Sequence, residues 1–200
     1  MQAARVIRDG GLVGLPTDTV YGLAADATSD AAVAGVFRAK GRPADKPLIA
    51  LVAGMTMAKT CADFTAPALA LAEAFWPGPL TLVLPRGPAS PLSPLVHQGA
   101  SGVSLRIPGN ETARAVVEAA ARPLTAPSAN PSGAPSPLTA QEVATGLGAA
   151  VALVIDGGRA GDSLGSTLLD LTGETPRLLR AGVVTSEAIG GVIGPIVRRD

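Results

Sequence analysis

Apolar and polar residues alternate along this chain in short blocks, and the blocks predict an interleaved series of helices and strands. Residues 3–8 read as a short helix, after which Gly10 and Gly11 release the chain into the apolar run Leu12 to Leu15, a buried strand ended by Pro16. Ser29 and Asp30 can cap a helix whose apolar positions Val33, Val36 and Phe37 follow three-and-four spacing. Gly41 and Pro43 end that helix, so Lys40 stands in its last turn. Further along, the pattern predicts a strand over 48–52, a helix over 67–75 closed by Trp76-Pro77-Gly78-Pro79, and strands over 80–84 and 102–107. Asn110 can cap a helix running through Ala121, and residues 124–126 form a short strand leading into a Pro/Ser/Gly loop to Pro137. Thr139 and Glu142 have capping-box spacing for another helix. The nearly unbroken apolar run Val151 to Ile155, ending in Asp156-Gly157-Gly158, has the look of a central strand covered on both faces, and residues 167–171 and 177–180 supply the last two strands.

This order lacks strict βαβ alternation, so the expected fold class is mixed α/β (α+β): a twisted mixed sheet of about seven strands flanked by helices. No internal repeat is visible and no linker is long enough to divide the chain, so residues 1–200 are expected to form one domain. Composition narrows the chemistry: apolar residues make up 47%, enough for a sizeable core, but aromatics only 2%, too few for base-stacking platforms. Sixteen basic and sixteen acidic side chains cancel, and any anion site must come from local placement of charge. Cys61 is the single cysteine, which excludes an internal disulfide framework and a multi-cysteine zinc site; it reads as a small packed hydrophobe. The N-terminus lacks the apolar stretch of a signal peptide and no segment approaches a membrane span, so the expectation is a soluble, cytoplasmic protein.

Four polar segments interrupt the apolar runs where strands or helices end: 16–22, 40–43, 104–108 and 126–130. Loops at such ends can turn side chains into one cleft. Lys40 and Arg42 flank a glycine, an arrangement suited to a phosphate chain and equally to a helix-end cation beside a solvated arginine. Ser128 and Asn130 suit nucleotide hydroxyls or phosphates, and they also make an ordinary turn. No Walker-type loop and no Gly-x-Gly-x-x-Gly opening a helix is present, so a nucleotide would need another scaffold. His97, the single histidine, has no triad partners nearby in sequence and reads as structural, and Asp156 reads as a turn former or a metal-placing acid.

In combination the segments Leu15-Pro16-Thr17-Asp18-Thr19-Val20-Tyr21-Gly22-Leu23, Lys40-Gly41-Arg42-Pro43 with Asp45-Lys46-Pro47-Leu48, Trp76-Pro77-Gly78-Pro79-Leu80-Thr81, Leu105-Arg106-Ile107-Pro108, Ala126-Pro127-Ser128-Ala129-Asn130, Ser166-Thr167 and Leu179-Arg180-Ala181-Gly182 resemble the YrdC/Sua5 family. The likeness covers nearly the whole chain and is to the short, single-domain threonylcarbamoyl-adenylate synthases, without the extra C-terminal domain of the longer Sua5 type. It implies a YrdC-like sheet with a concave, locally positive cleft, and synthesis of L-threonylcarbamoyladenylate and pyrophosphate from L-threonine, bicarbonate or carbon dioxide, and ATP with Mg²⁺. By position, the resemblance places Thr19, Arg106, Ala126 and Ser166 around threonine, and Arg42, Lys46, Ser128, Asn130, Ser136 and Arg180 around the nucleotide. Lys40 and Arg42 are its expected catalytic pair. This chain has Lys46 where many relatives have Asn, and Leu51 where some have a histidine near threonine. The implied partner is a transferase that modifies tRNA to N6-threonylcarbamoyladenosine. The alternative is a protein of the same fold that binds double-stranded RNA or tRNA without synthase activity; zero net charge and scarce aromatics weigh against it. The carbamoyl-transfer module of hydrogenase maturation factors is a poorer match, because those long chains carry zinc-binding cysteines.

Overall fold

A computed structural model describes residues 1–43, 46–161 and 164–198. Helix α1 (Gln2–Arg8) leads into β1 (Val13–Leu15) and β2 (Gly22–Ala24), followed by α2 (Asp30–Lys40), β3 (Ile49–Leu51), α3 (Met55–Cys61), α4 (Ala66–Phe75) and β4 (Leu80–Pro85). The rest of the order is α5 (Pro94–His97), β5 (Gly102–Arg106), α6 (Glu111–Ala120), β6 (Leu124–Thr125), α7 (Ala140–Leu147), β7 (Leu153–Val154), β8 (Thr167–Asp170), β9 (Arg177–Arg180), α8 (Ser186–Ile193) and β10 (Val197–Arg198). Seven strands form a mixed sheet in the order β10-β9-β8-β4-β5-β3-β6, and β2-β1-β7 form a smaller sheet beside it. Among the described residues no helix is long and apolar enough to cross a membrane.

Local chemistry sets the element ends that matter for the site. Ser29 accepts from the Ala32 amide at the start of α2, and Gly41 ends it in the left-handed conformation at φ 57°, a position glycine adopts without steric cost. The amides of Gly41 and Arg42 then close back on the carbonyls of Arg38 and Phe37. Lys40 is thereby turned inward, and Arg42 leaves the helix in a different direction. Asn110 caps α6, and Thr139 with Glu142 forms a reciprocal capping box on α7.

The two sheets are joined along the segments 21–27 and 123–129. Leu23 N–H donates to the Pro127 carbonyl, Ala129 N–H to Tyr21, and Thr125 N–H to Ala25, while the Thr125 hydroxyl donates to the Leu23 carbonyl. This zipper brings the 16–22 turn beside the 126–130 turn, although a hundred residues of chain separate Leu23 and Thr125. One cluster of buried side chains packs under the large sheet, with Leu80, Leu82, Leu105 and Leu23 fully enclosed. A second cluster, including Ile7, Val13, Val116 and Val117, lies between α1, α6 and the β1 side. Each such aliphatic side chain contributes about 1.5–3 kcal/mol by leaving water, which holds the strand ends under the site in place.

The structure departs from the sequence pattern at several elements. The run 151–155 is not a central strand: only Leu153 and Val154 pair, with β1 alone, at the edge of the small sheet, and both are half-exposed. An unbroken apolar run does not distinguish a central strand from one lodged against a helix, and here α7 covers it. Helices α3, α5 and α8 and strands β2 and β10 add to the predicted set. The polar Thr-Asp-Thr turn masks β2, and Gly190 with Gly191 hides the helical pattern of α8, which Thr185 nevertheless caps.

Candidate functional site

One cleft of about 740 Å³ opens on the face of the large sheet. Strand neighbours build its floor: Leu51 pairs with Arg106 across β3 and β5, Val83 with Ser104 across β4 and β5 and with Asp170 across β4 and β8, and Leu168 with Arg180 across β8 and β9. A strand turns alternate side chains to the same face, so Ser104 and Arg106, or Ser166 and Leu168, look into the cleft together.

Arg106 is 5% exposed and its guanidinium is held on three sides. Its Nε donates to the Gly78 carbonyl at 2.9 Å, its Nη1 to the Thr19 hydroxyl at 3.1 Å, and its Nη2 lies 2.5 Å from the Asp18 carboxylate. The Asp18 contact is an ion pair that lacks hydrogen-bond alignment. Thr17 completes this corner, its hydroxyl donating to the Val20 carbonyl and lying 3.1 Å from the Thr19 hydroxyl. Across the floor, Arg180 donates through Nε and Nη2 to the Ser166 carbonyl and through Nη2 to its hydroxyl, which lies 2.8 Å from the Thr81 hydroxyl. Surrounding protein, and then the positive charge of Arg106, hold the Arg180 pKa below the usual arginine range. Part of the Arg180 side chain is nevertheless exposed to solvent. Two guanidiniums that repel each other across a polar floor make a receptor for anionic groups.

Arg42, Ala126, Pro127, Ser128 and Ser136 also line the cleft. Arg42 donates to the carbonyls of Pro47 at 3.1 Å and Lys46 at 3.4 Å. The Ala126 amide is bonded to the Ile49 carbonyl.

Of the positions picked out from sequence, Thr19, Arg42, Arg106, Ala126, Ser128, Ser136, Ser166 and Arg180 line this one cleft. Lys40, Lys46 and Asn130 do not. Lys40 is buried at 3% exposure and its ammonium donates to the backbone carbonyls of Ser128 and Asn130; the Lys40 carbonyl in turn accepts from the Ser132 amide. Burial, and next the Arg42 charge, lower its pKa to about 8. The side chain expected to face phosphates is therefore lodged behind the 128–130 turn, where it shapes the wall from inside. Asn130 donates to the carbonyls of Pro131 and Ala134, its Oδ1 is buried without a hydrogen-bond partner, and it borders a neighbouring hollow of about 470 Å³ that also reaches Ser136. Lys46 is exposed, and Asp45 lies outside the described residues.

The sequence reading gave Asp18 no role of its own, and it passed over the Gly78 carbonyl and Thr81, all of which touch Arg106 or Ser166. The signal for Asp18 was an acid between two threonines next to a cleft arginine; the Gly78 carbonyl had none. Cys61 is buried, with its thiol pKa raised by burial, and His97, its pKa lowered by burial and then by Arg86, lies away from the cleft. Asp156 accepts from the Gly158 amide as a turn former. Among the described residues no group of three or more His, Cys, Asp or Glu is gathered to hold a metal.

The family model for Sua5, YciO and YrdC proteins, described as telomere recombination, matches residues 5–182. The chain is 44% identical over 199 residues to the threonylcarbamoyl-AMP synthase of Bacillus subtilis (strain 168), a match covering 98% of this chain and 56% of that protein. It is 45% identical over 195 residues to the threonylcarbamoyl-AMP synthase of Pyrococcus abyssi, covering 97% and 57%. The crystal structure of P. abyssi Sua5 complexed with L-threonine matches with a TM-score of 0.95 at 44% identity, over 99% of this chain and 58% of that one. The chain thus spans a little over half the length of these relatives, whereas it is 40% identical over 195 residues to the putative threonylcarbamoyl-AMP synthase of Mycobacterium tuberculosis (strain ATCC 25618 / H37Rv), covering 97% of this chain and 88% of that protein.

Proposed function

Because the chain belongs to the Sua5, YciO and YrdC family, we propose that it joins L-threonine, bicarbonate or dissolved carbon dioxide, and ATP into L-threonylcarbamoyladenylate. The observation that carries this reading is the meeting of Thr19, Arg106 and Ser166 with Arg42, Ser128, Ser136 and Arg180 around one cleft. Threonine's amine combines with the one-carbon unit to form a carbamate, water leaving when bicarbonate is the source. A carbamate oxygen then attacks the α-phosphorus of ATP, and the bond to pyrophosphate breaks.

This chemistry asks for positioning and charge neutralisation more than for a protein nucleophile. Arg106, held by Gly78, Thr19 and Asp18, presents a fixed cation to the threonine carboxylate. Arg42 and Arg180, both lining the cleft, offset phosphate charge. Lys40 acts from behind the 128–130 turn, fixing its carbonyls and adding positive field without lining the cleft. With no cluster of acidic side chains among the described residues, Mg²⁺ would enter as the ATP complex, its ligands chiefly phosphate oxygens and water. The mixed anhydride formed is labile to water, and its consumer would be a transferase acting on tRNA.

The test is pyrophosphate release with ATP and Mg²⁺, withholding threonine and bicarbonate in turn. Release that depends on both is expected. Release indifferent to threonine would remove the reading.

A further inference from the structure

We infer that Asp170 reads the base of the nucleotide by accepting a hydrogen bond from an exocyclic amino group, the chemistry that adenine offers. The inference rests on the proposed function and names how the same cleft would choose its nucleotide.

Asp170 lines the cleft, its side chain on the same face of β8 as Ser166 and Leu168. It stands four positions beyond Ser166, a distance of about 13 Å along the strand. Register places Ser104, Val83 and Asp170 in one row across β5, β4 and β8, a span of about 10 Å with Val83 at its centre. Leu168 and Leu179 add apolar surface around that row. The acid therefore borders a slot with an apolar floor, beyond the end of the cleft that Arg106, Arg180 and Ser166 occupy.

One oxygen of the carboxylate is committed. Asp170 Oδ1 accepts from the Thr172 amide at 2.9 Å and from the Thr172 hydroxyl at 2.7 Å. Thr172 approaches so closely because β5 has Gly102 beside it, where a Cβ would stand 2.6 Å from the Thr172 methyl. Arg177 stands opposite Asp170 on β9, but among the described residues no cation lies within ion-pair distance of the Asp170 carboxylate. Oδ2 is thus left as an oriented acceptor in a cleft whose other charged walls are cationic. A carboxylate repels phosphate, so it directs the triphosphate towards Arg42 and Arg180 and favours at its own end a neutral group bearing N–H. Ribose hydroxyls sit next to the phosphates and would lie with the arginines. The amino edge of the base is the part of ATP farthest from them, and its flat apolar faces suit Val83 and Leu168.

A pure acceptor discriminates between an amino and an oxo group at the same ring position. The test compares ATP with inosine triphosphate, which carries oxo in place of the amine, and with 2′-deoxy-ATP, by calorimetric binding and by pyrophosphate release. The native protein is expected to favour ATP over inosine triphosphate by about tenfold or more, the worth of one charge-assisted hydrogen bond. In Asp170→Asn the amide oxygen stays with Thr172 and the NH₂ takes the place of Oδ2, so this preference should collapse or invert while 2′-deoxy-ATP behaves as it does with native protein. Both nucleotides are compared on one preparation, and any loss of folded protein cancels in the ratio. An unchanged ratio overturns the inference, and so does an effect confined to 2′-deoxy-ATP, which would put the carboxylate on the ribose. Native protein that binds ATP without discrimination sinks the inference alone; native protein that binds neither nucleotide sinks the proposed function with it.

Discussion

The ammonium nitrogen of Lys40 lies 2.6 Å from the carbonyl oxygen of Asn130, ninety residues further along the chain, and it donates to the Ser128 carbonyl as well. The two motifs that looked in sequence like halves of a phosphate grip divide their members, Lys40 and Asn130 holding the turn from behind while Arg42 and Ser128 line the cleft. An isolated ammonium would be costly to bury, and the two carbonyls offset that cost. In Lys40→Met the turn should lose its internal anchor. Amide exchange over residues 127–134 is expected to quicken, with nucleotide affinity falling in parallel. Unchanged exchange would mean that Lys40 does not hold the turn.

A second expectation concerns pH. Burial and Arg42 bring the Lys40 pKa from 10.5 down to about 8. Below pH 8 both folded and unfolded chains carry this proton, and the group gives stability no slope. Between pH 8 and 10.5 the unfolded chain binds more protons than the folded one, so this group makes stability rise with pH. Urea unfolding of native protein and Lys40→Met should show a stability difference that moves in favour of the native protein across that window. A flat or opposite trend would contradict the burial of the ammonium.

Arg42 offers the contrasting case. It lines the cleft, and its bonds to Lys46 and Pro47 are at an exposed loop. Arg42→Ala should weaken ATP binding by about ten- to a hundredfold, as loss of a charged hydrogen-bond donor does, with a shift in unfolding free energy of about 0.5 kcal/mol or less. Calorimetry and thermal melting separate the two effects, and near-native ATP affinity would remove Arg42 from the phosphate site.

Gly78 tests the support behind Arg106. A Cβ on this residue would stand 2.4 Å from the Phe75 carbonyl oxygen, a backbone atom, so the turn must move to admit alanine. The same residue supplies the carbonyl that Arg106 Nε holds and donates its amide to Ile107. Gly78→Ala is expected to cost about 1–3 kcal/mol of stability and to raise KM for threonine more than KM for ATP. Equal changes in the two KM values would show that Arg106 is not specific to the amino-acid end.

How much of this was legible in the sequence depended on whether the signal was local. The ends of α2, α6 and α7 were readable because Ser29, Gly41, Asn110 and the Thr139–Glu142 pair act on their own neighbours. Most cleft positions were legible from the family resemblance, since Thr19, Arg106, Ser128, Ser166 and Arg180 stand in recognisable segments. What escaped were relations set by tertiary packing. The direction of Lys40 is fixed by carbonyls ninety residues away, the Gly78 contact comes from a backbone atom that no side-chain pattern announces, and the edge position of β7 depends on which strand it pairs with. Asp170 falls in the same class, because its place opposite Val83 and Ser104 exists only once β4, β5 and β8 are in register.

The most direct measurement of the central claim follows the carbon. Protein incubated with isotopically labelled bicarbonate, threonine, ATP and Mg²⁺ should place the label in a compound that contains both threonine and AMP, detected by mass spectrometry, and omission of any one substrate should abolish it. Label that never enters such a compound, although native protein binds ATP and threonine, would contradict the account.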